Sequence, residues 1–180
     1  TESVKKPLIN VRYRNTEVLT LNPGIPVDQV KRNNLAELIP AIRGTVYDPV
    51  KSTRNTAVFN RLAEELPLFR VNIILRSAKN VWQSAEIQSA TVMSKGTPQP
   101  LISSFLAVRS AYDRHLLEAG DEVVDVRLGY EGQAFTSDMQ VMAPTWRIAL
   151  ASGRDLYVHA VTGAVLNNDV AENKSITDNR

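Results

Sequence analysis

The sequence predicts an α+β fold, with antiparallel sheets each packed with a helix. Three observations lead there. Phe105, Val108, Tyr112 and His115/Leu116 recur at helical spacing between residues 103 and 118, the mark of a helix with one buried face. The residues that follow alternate apolar and polar between tight-turn signals, as strands of a meander do. The first half has the same make-up, strands with one helical stretch, and Gly96-Thr97-Pro98-Gln99-Pro100 breaks the chain between the halves.

Residues 1–10 are a polar lead-in with Lys5, Lys6 and Pro7. Val11 to Leu21 alternates as a strand, and Asn22-Pro23-Gly24 after it is a turn signal. Val27, Val30, Leu35, Leu38 and Ile39 give a rough helical spacing. Asp28 or Pro26 opens this helix, and Pro40 ends or kinks it. Short strands are expected at Thr45–Asp48 and Asn55–Leu62, and Pro67 breaks the next segment. Arg70–Arg76, rich in β-branched residues, reads as a strand, as does Asn80–Met93. The break at 96–100 divides the chain into an N-terminal α+β subdomain, 1–96, and a C-terminal helix-plus-sheet module, 97–166.

In the second half Ser103 or Ser104 is the N-cap of a helix that runs to about Glu118. Gly120 supplies the left-handed residue beyond its end. Glu122–Tyr130 is a strand with Val124, Val126 and Leu128 on one face, and Gly129–Asp138 a loop. Gln140–Leu150 is a strand that Pro144 interrupts, as a bulge or on an edge. Two registers fit the next turn. A two-residue turn at Ser152-Gly153 pairs Ile148 with Tyr157. A three-residue loop, Ala151-Ser152-Gly153, pairs Leu150 with Arg154, Ile148 with Leu156 and Trp146 with Val158. The second puts the apolar sets together and places Gly153 where a left-handed residue is needed, so it is preferred. Thr162-Gly163 makes another tight turn, with Val165 opposite Ala160. Residues 167–180 are polar and without periodicity, and read as a frayed or disordered tail.

Composition bounds the function. At 180 residues, 43% apolar and 22% charged, the chain is long enough to bury a core and is not broadly disordered. A net charge of +2 is no electrostatic footprint for nucleic acid. The lack of cysteine excludes disulfides, thiolate metal sites and a cysteine nucleophile. It leaves open both the cytosol and the outer face of a Gram-positive cell. No apolar run approaches the ~20 residues of a membrane span. The start at Thr1 rather than Met leads us to expect a trimmed piece, with a membrane anchor removed upstream.

Chemistry-bearing patterns are sparse. The two histidines, His115 and His159, form no metal-ligand motif. No GxSxG occurs. Glu64-Glu65 and Asp121-Glu122 are adjacent pairs whose side chains diverge, so no acid/base pair is expected from them. Leu128-Gly129-Tyr130-Glu131-Gly132 lacks the third glycine and the Lys-Ser/Thr of a phosphate cradle, and a turn is the better reading. No catalytic residue, metal or cofactor is expected. Trp146 reads as core, and Trp82 and Tyr130 as candidate interaction anchors. The residues alone point to a β-rich module that presents surfaces.

Val126-Arg127-Leu128-Gly129-Tyr130, followed by Val141-Met142-Ala143-Pro144-Thr145-Trp146-Arg147-Ile148, resembles a signature of the YycI/YycH regulatory proteins. Tyr157-Val158-His159-Ala160-Val161-Thr162-Gly163-Ala164-Val165 resembles their closing hairpin. The likeness is clear over about 100–166, and the length suits YycI better than YycH. Gly129, Tyr130, Pro144, Trp146, Tyr157, Thr162 and Gly163 are the motif positions. The helix, sheet and Thr-Gly hairpin also resemble the PepSY-type inhibitory module.

The YycI resemblance implies an extracytoplasmic domain held at a Gram-positive cell membrane by one N-terminal helix, absent from this chain. Its implied partners are a YycH-like protein and the essential sensor histidine kinase YycG (WalK), which governs cell-wall metabolism. It implies regulation by contact and no catalysis. The PepSY resemblance implies the alternative, an inhibitor or ligand-binding module that restrains a protease or wall hydrolase.

Overall fold

The computed structural model describes residues 4–29, 35–134 and 138–166. Among them the first half forms β1 (Lys5–Lys6), β2 (Ile9–Tyr13), β3 (Glu17–Pro26), α1 (Leu35–Leu38), β4 (Val46–Tyr47), β5 (Thr56–Ala63), β6 (Leu66–Ala78), β7 (Val81–Ile87) and β8 (Ala90–Lys95). Then come β9 (Gln99–Pro100), α2 (Ser104–Asp113), β10 (Val123–Ala134), β11 (Met139–Leu150), β12 (Asp155–His159) and β13 (Val165–Leu166). β1 and β9 form a two-stranded clip, and the other eleven strands form one sheet.

The expected α+β fold of separate antiparallel sheets, each with its helix, and of a PepSY-like or YycH-like C-terminal module is therefore overturned: the chain is mostly β. Two long-range pairings fuse the halves. β2 pairs antiparallel with β11, Ile9 opposite Met142. β10 meets β6 in parallel, Tyr130 opposite Leu68. Of the helix expected over 27–39, the described residues show two short pieces. Val27–Gln29 is a 3-10 turn, α1 spans four residues, and Pro40 starts a second 3-10 turn. Proline has no N–H to give to a helix and fits only its first turn. Residues 30–34 and 167–180, and with them part of that expected helix and the expected tail, lie outside the described residues.

The main path of the sheet is β13-β12-β11-β10-β6-β5-β4, and it forks twice. One edge of β11 is shared by β2, along Met139–Met142, and β12, along Thr145–Ala149. Pro144 sits near the gap between them. Its carbonyl accepts from Ala160 N–H at 2.8 Å. Within a strand residue N and C=O point the same way, so the missing N–H faces that gap and no ladder bond is lost. The strand is accordingly continuous through Pro144 and lies inside the sheet. β6 forks likewise, with β10 at Leu68 and β7 from Ile73 onward.

Gly129–Asp138 is not a loop through its first half, because β10 continues to Ala134. A Cβ on Gly129 would lie 2.4 Å from Phe69 Cζ and 2.7 Å from the Pro67 carbonyl; one on Gly132 would lie 2.3 Å from the Val141 carbonyl. These glycines serve close approach of strands rather than a turn. Pro67 likewise starts no break but lies inside β6. Asn22-Pro23-Gly24 falls in an irregularity of β3, between Thr20 opposite Ser84 and Ile25 opposite Trp82. The single strand expected over Val11–Leu21 is two, β2 and β3, and that over Asn80–Met93 is also two, β7 and β8.

The preferred β11–β12 register is present: Trp146 pairs with Val158 and Ile148 with Leu156. Leu150 N donates to Arg154 O at 2.9 Å, and Gly153 has φ +90°. The next turn is longer than expected. Val165 lies opposite Val158, not Ala160, because the loop takes in Ala160–Gly163 and His159 Nδ1 accepts from the N–H groups of Val161 and Thr162. Both registers put Val165 on the same face, since they differ by two residues.

Ser103 is the N-cap of α2, its side chain accepting from Leu106 N–H at 3.2 Å. The helix stops at Asp113, short of the expected Glu118, and His115 just beyond it has φ +58°. Three buried clusters lie along the sheet. Leu35, Ile39 and Ile42 cover Phe59, Ile73 and Leu75 at one end. Ala107 and Ala111 of α2 cover Ile148, Leu156 and Val158 at the other. Between them Ile9, Val11, Leu68, Val71, Tyr130 and Met142 join residues of both halves.

Candidate interaction site

The face of β11 and β12 opposite α2 carries Arg147, Asp155 and Tyr157, by strand alternation. That face is not solvated. The segment Asp48–Ser52 and the irregular stretch Phe69–Val71 of β6 close over it. Arg147 is wholly buried and grips Asp48 with both terminal nitrogens, at 2.7 and 2.9 Å. Its guanidinium lies 4.7 Å over the Phe69 ring. Phe69 in turn meets Tyr157 edge-on at 6.1 Å. The Asp48 carboxylate also accepts from the backbone N–H of Val50 and Lys51, fixing the turn that presents Lys51.

Two further ion pairs flank this one. Arg70 Nε donates to Glu131 Oε1 at 2.6 Å, and Lys51 pairs with Asp155. In each pair the carboxylate is interior and the cation half-exposed. Burial alone would raise the Asp48 carboxyl, but the hydrogen bonds and charge of Arg147 outweigh it and hold Asp48 below the usual carboxylate range. At Glu131 burial prevails over Arg70, and its pKa lies above the usual value. Burial also raises the Tyr157 hydroxyl, helped by the charges of Glu131 and Asp155.

Beside these pairs runs an open groove of about 680 Å³. Lys51, Phe69 and Arg70 line it from the first half, and Arg154, Asp155 and Tyr157 from the second. The groove thus spans the seam where the halves join. Its lining offers cations, a buried acceptor and two aromatic rings. Among the described residues no group of three or more acids and histidines is placed to hold a metal.

The sequence-derived motif positions scatter. Gly129 lets Phe69 approach β10. Tyr130 is wholly buried, and its hydroxyl donates to Pro7 O at 2.9 Å; burial lifts its pKa to about 12. Trp82, 2% exposed, belongs to the first cluster. Neither aromatic reaches the surface, so the reading of both as interaction anchors is corrected: each packs within a buried cluster. Pro144 marks the fork of β11. Trp146 packs against the α2 cluster and donates Nε1–H to Ile102 O at 3.0 Å. Thr162 and Gly163 shape the last turn, where Thr162 Oγ1 accepts from Ala164 N–H. Only Tyr157 reaches the groove. Lys51, Arg70, Arg154 and the buried Asp155 were not singled out from sequence. The signal for the charged groups on strands, Arg70, Glu131 and Asp155, is a charged residue inside an otherwise apolar strand, as with Arg147 between Trp146 and Ile148.

Comparison with curated proteins finds no match. Among solved structures, the crystal structure of an uncharacterized protein from Eubacterium rectale ATCC 33656 at 1.45 Å resolution is similar, with 12% identity and a TM-score of 0.48. The alignment covers 88% of this chain and 51% of that one, so the present chain spans about half its length. The family model described as YycI protein matches residues 20–161. With most of its length inside that match, the chain belongs to the YycI family.

Proposed function

We propose that this chain is an extracytoplasmic, membrane-anchored regulator of the sensor histidine kinase YycG (WalK), and that it works by contact together with a YycH-like protein. Membership of the YycI family carries the reading; that family consists of regulatory proteins rather than enzymes. The anchor belongs to the proposal alone and is a segment preceding Thr1; among the described residues no helix is long and apolar enough to cross a membrane.

The fold supports a contact mechanism in two ways. Lys5 and Lys6 of β1 are clipped to Gln99 and Pro100, so the start of the described chain is tied to the body. An anchor there would hold the body close to the bilayer. The single sheet and its buried ion pairs make a body that transmits position rather than yielding. Such a regulator shifts a two-state kinase only by binding its states with different affinity. A tenfold preference moves the balance by about 1.4 kcal/mol.

The test is co-purification from membranes. Full-length protein, extracted in mild detergent, should retain both the kinase and the YycH-like partner, and its deletion should change kinase autophosphorylation in vesicles. Recovery of neither partner, with unchanged autophosphorylation, would refute the proposal.

A further inference from the structure

We infer that the seam groove is a binding site for an acidic peptide segment. The groove is assigned from its own charges, whether or not the kinase is the partner. Three cations face solvent along it: the side chains of Lys51, Arg70 and Arg154 are 45%, 44% and 41% exposed. The acids that accompany them lie deeper, Asp155 at 5%, Glu131 at 0% and Asp121, the partner of Arg154, at 20%. Opposite charges at different depths leave the mouth of the groove positive, although the local charges cancel in number. Carboxylates arriving from solvent meet the cations first.

A second observation selects a peptide over a simple anion. Asp155 lines the groove, and its Oδ1 is buried with no hydrogen-bond partner. A buried acceptor left unmade is costly and calls for a donor. A small polycarboxylate such as citrate brings at most one hydroxyl donor, whereas an acidic peptide brings carboxylates for the cations and a run of backbone N–H groups for the acceptor. Val58, Phe69 and Ile74 in the lining offer apolar surface to the aliphatic stems of such side chains. The cations come from both halves, Lys51 and Arg70 from one and Arg154 from the other, so the bound segment bridges the seam.

The experiment is a backbone-amide NMR titration of this chain with an acetylated, amidated oligoglutamate peptide, with citrate as a second arm. The peptide should shift the amides of Lys51, Arg70, Arg154 and Asp155 saturably, and bind more weakly as salt rises. Arg154→Gln, at an exposed turn, should weaken it by about threefold, the scale of one exposed ion pair, and lower the melting temperature by no more than about 4 °C through the lost bonds to Leu116 O and Asp121. The paired replacement of Arg70→Gln with Glu131→Gln removes a second cation without stranding a buried carboxylate, and should weaken binding by a similar factor. Saturable groove shifts with citrate but none with peptide would overturn the peptide assignment. Shifts spread equally over basic residues elsewhere, such as Arg12 and Arg109, or indifference to Arg154→Gln, would overturn the site.

Discussion

Replacing Gly129 by alanine tests the seam between the two halves. The added methyl would sit 2.4 and 2.6 Å from two Phe69 ring carbons and 2.7 Å from the Pro67 carbonyl oxygen. Ordinary contact begins at 3.4 Å, so the ring must retreat by 1.0 Å (3.4 − 2.4) and the carbonyl by 0.7 Å (3.4 − 2.7). Neither has room. Arg147 lies over the ring and Tyr157 against its edge. Pro67 precedes Leu68, which pairs with Tyr130 across the seam. Overpacking of this kind costs about 3 kcal/mol. For a chain of this size each kcal/mol lowers the melting temperature by roughly 2–4 °C, so a fall of about 6–12 °C is expected by calorimetry. Adding Phe69→Leu removes the ring clash but not the carbonyl one. The double variant should therefore lose less than the sum of the two single losses. A melting temperature for Gly129→Ala within about 1 °C of wild type would refute the close-approach reading of this glycine.

Three other outcomes follow from the same geometry. Arg147→Met strands the buried Asp48 carboxylate and should cost about 3–5 kcal/mol in urea unfolding, part of which Asp48→Asn restores by removing the charge. Glu131 has a raised pKa in the folded state, so its contribution is complete at low pH and declines as pH rises from its ordinary value of 4.5 through the folded one. The stability of Glu131→Gln relative to wild type should therefore improve between about pH 4 and pH 8 in urea melts; a constant difference would contradict the burial argument. Ser103→Ala removes the α2 cap and should cost about 1 kcal/mol, with faster hydrogen exchange at Leu106.

What the sequence made legible was local. The β11–β12 hairpin was readable because one register alone joins Trp146, Ile148 and Leu150 to Val158, Leu156 and a left-handed Gly153. The cap at Ser103 was readable because serine before an apolar helical run has few other uses. The pairings that decide the architecture, β2 with β11 and β6 with β10, join residues far apart in the chain, and nothing in either segment names its partner. Two residue types misled for a physical reason. Glycine serves both turns and close approach, and Gly129 and Gly132 are the second kind. Pro144 and Pro67 look like breaks until a fork or an irregularity in the ladder removes the need for their missing N–H. The groove was illegible because its cations lie on three separate segments, and the fold alone brings Lys51, Arg70 and Arg154 together.

The position of β2 between β8 and β11 sets an order on the making of this molecule. The edge of β11 that receives β2, Met139–Met142, is made roughly 130 residues later in the chain. At typical elongation speeds the first of these strands waits roughly ten seconds for its second neighbour. Ile9 and Val11, wholly buried once seated, stay uncovered on one side throughout that interval. An emerging chain of this design must therefore be guarded until β11 is out.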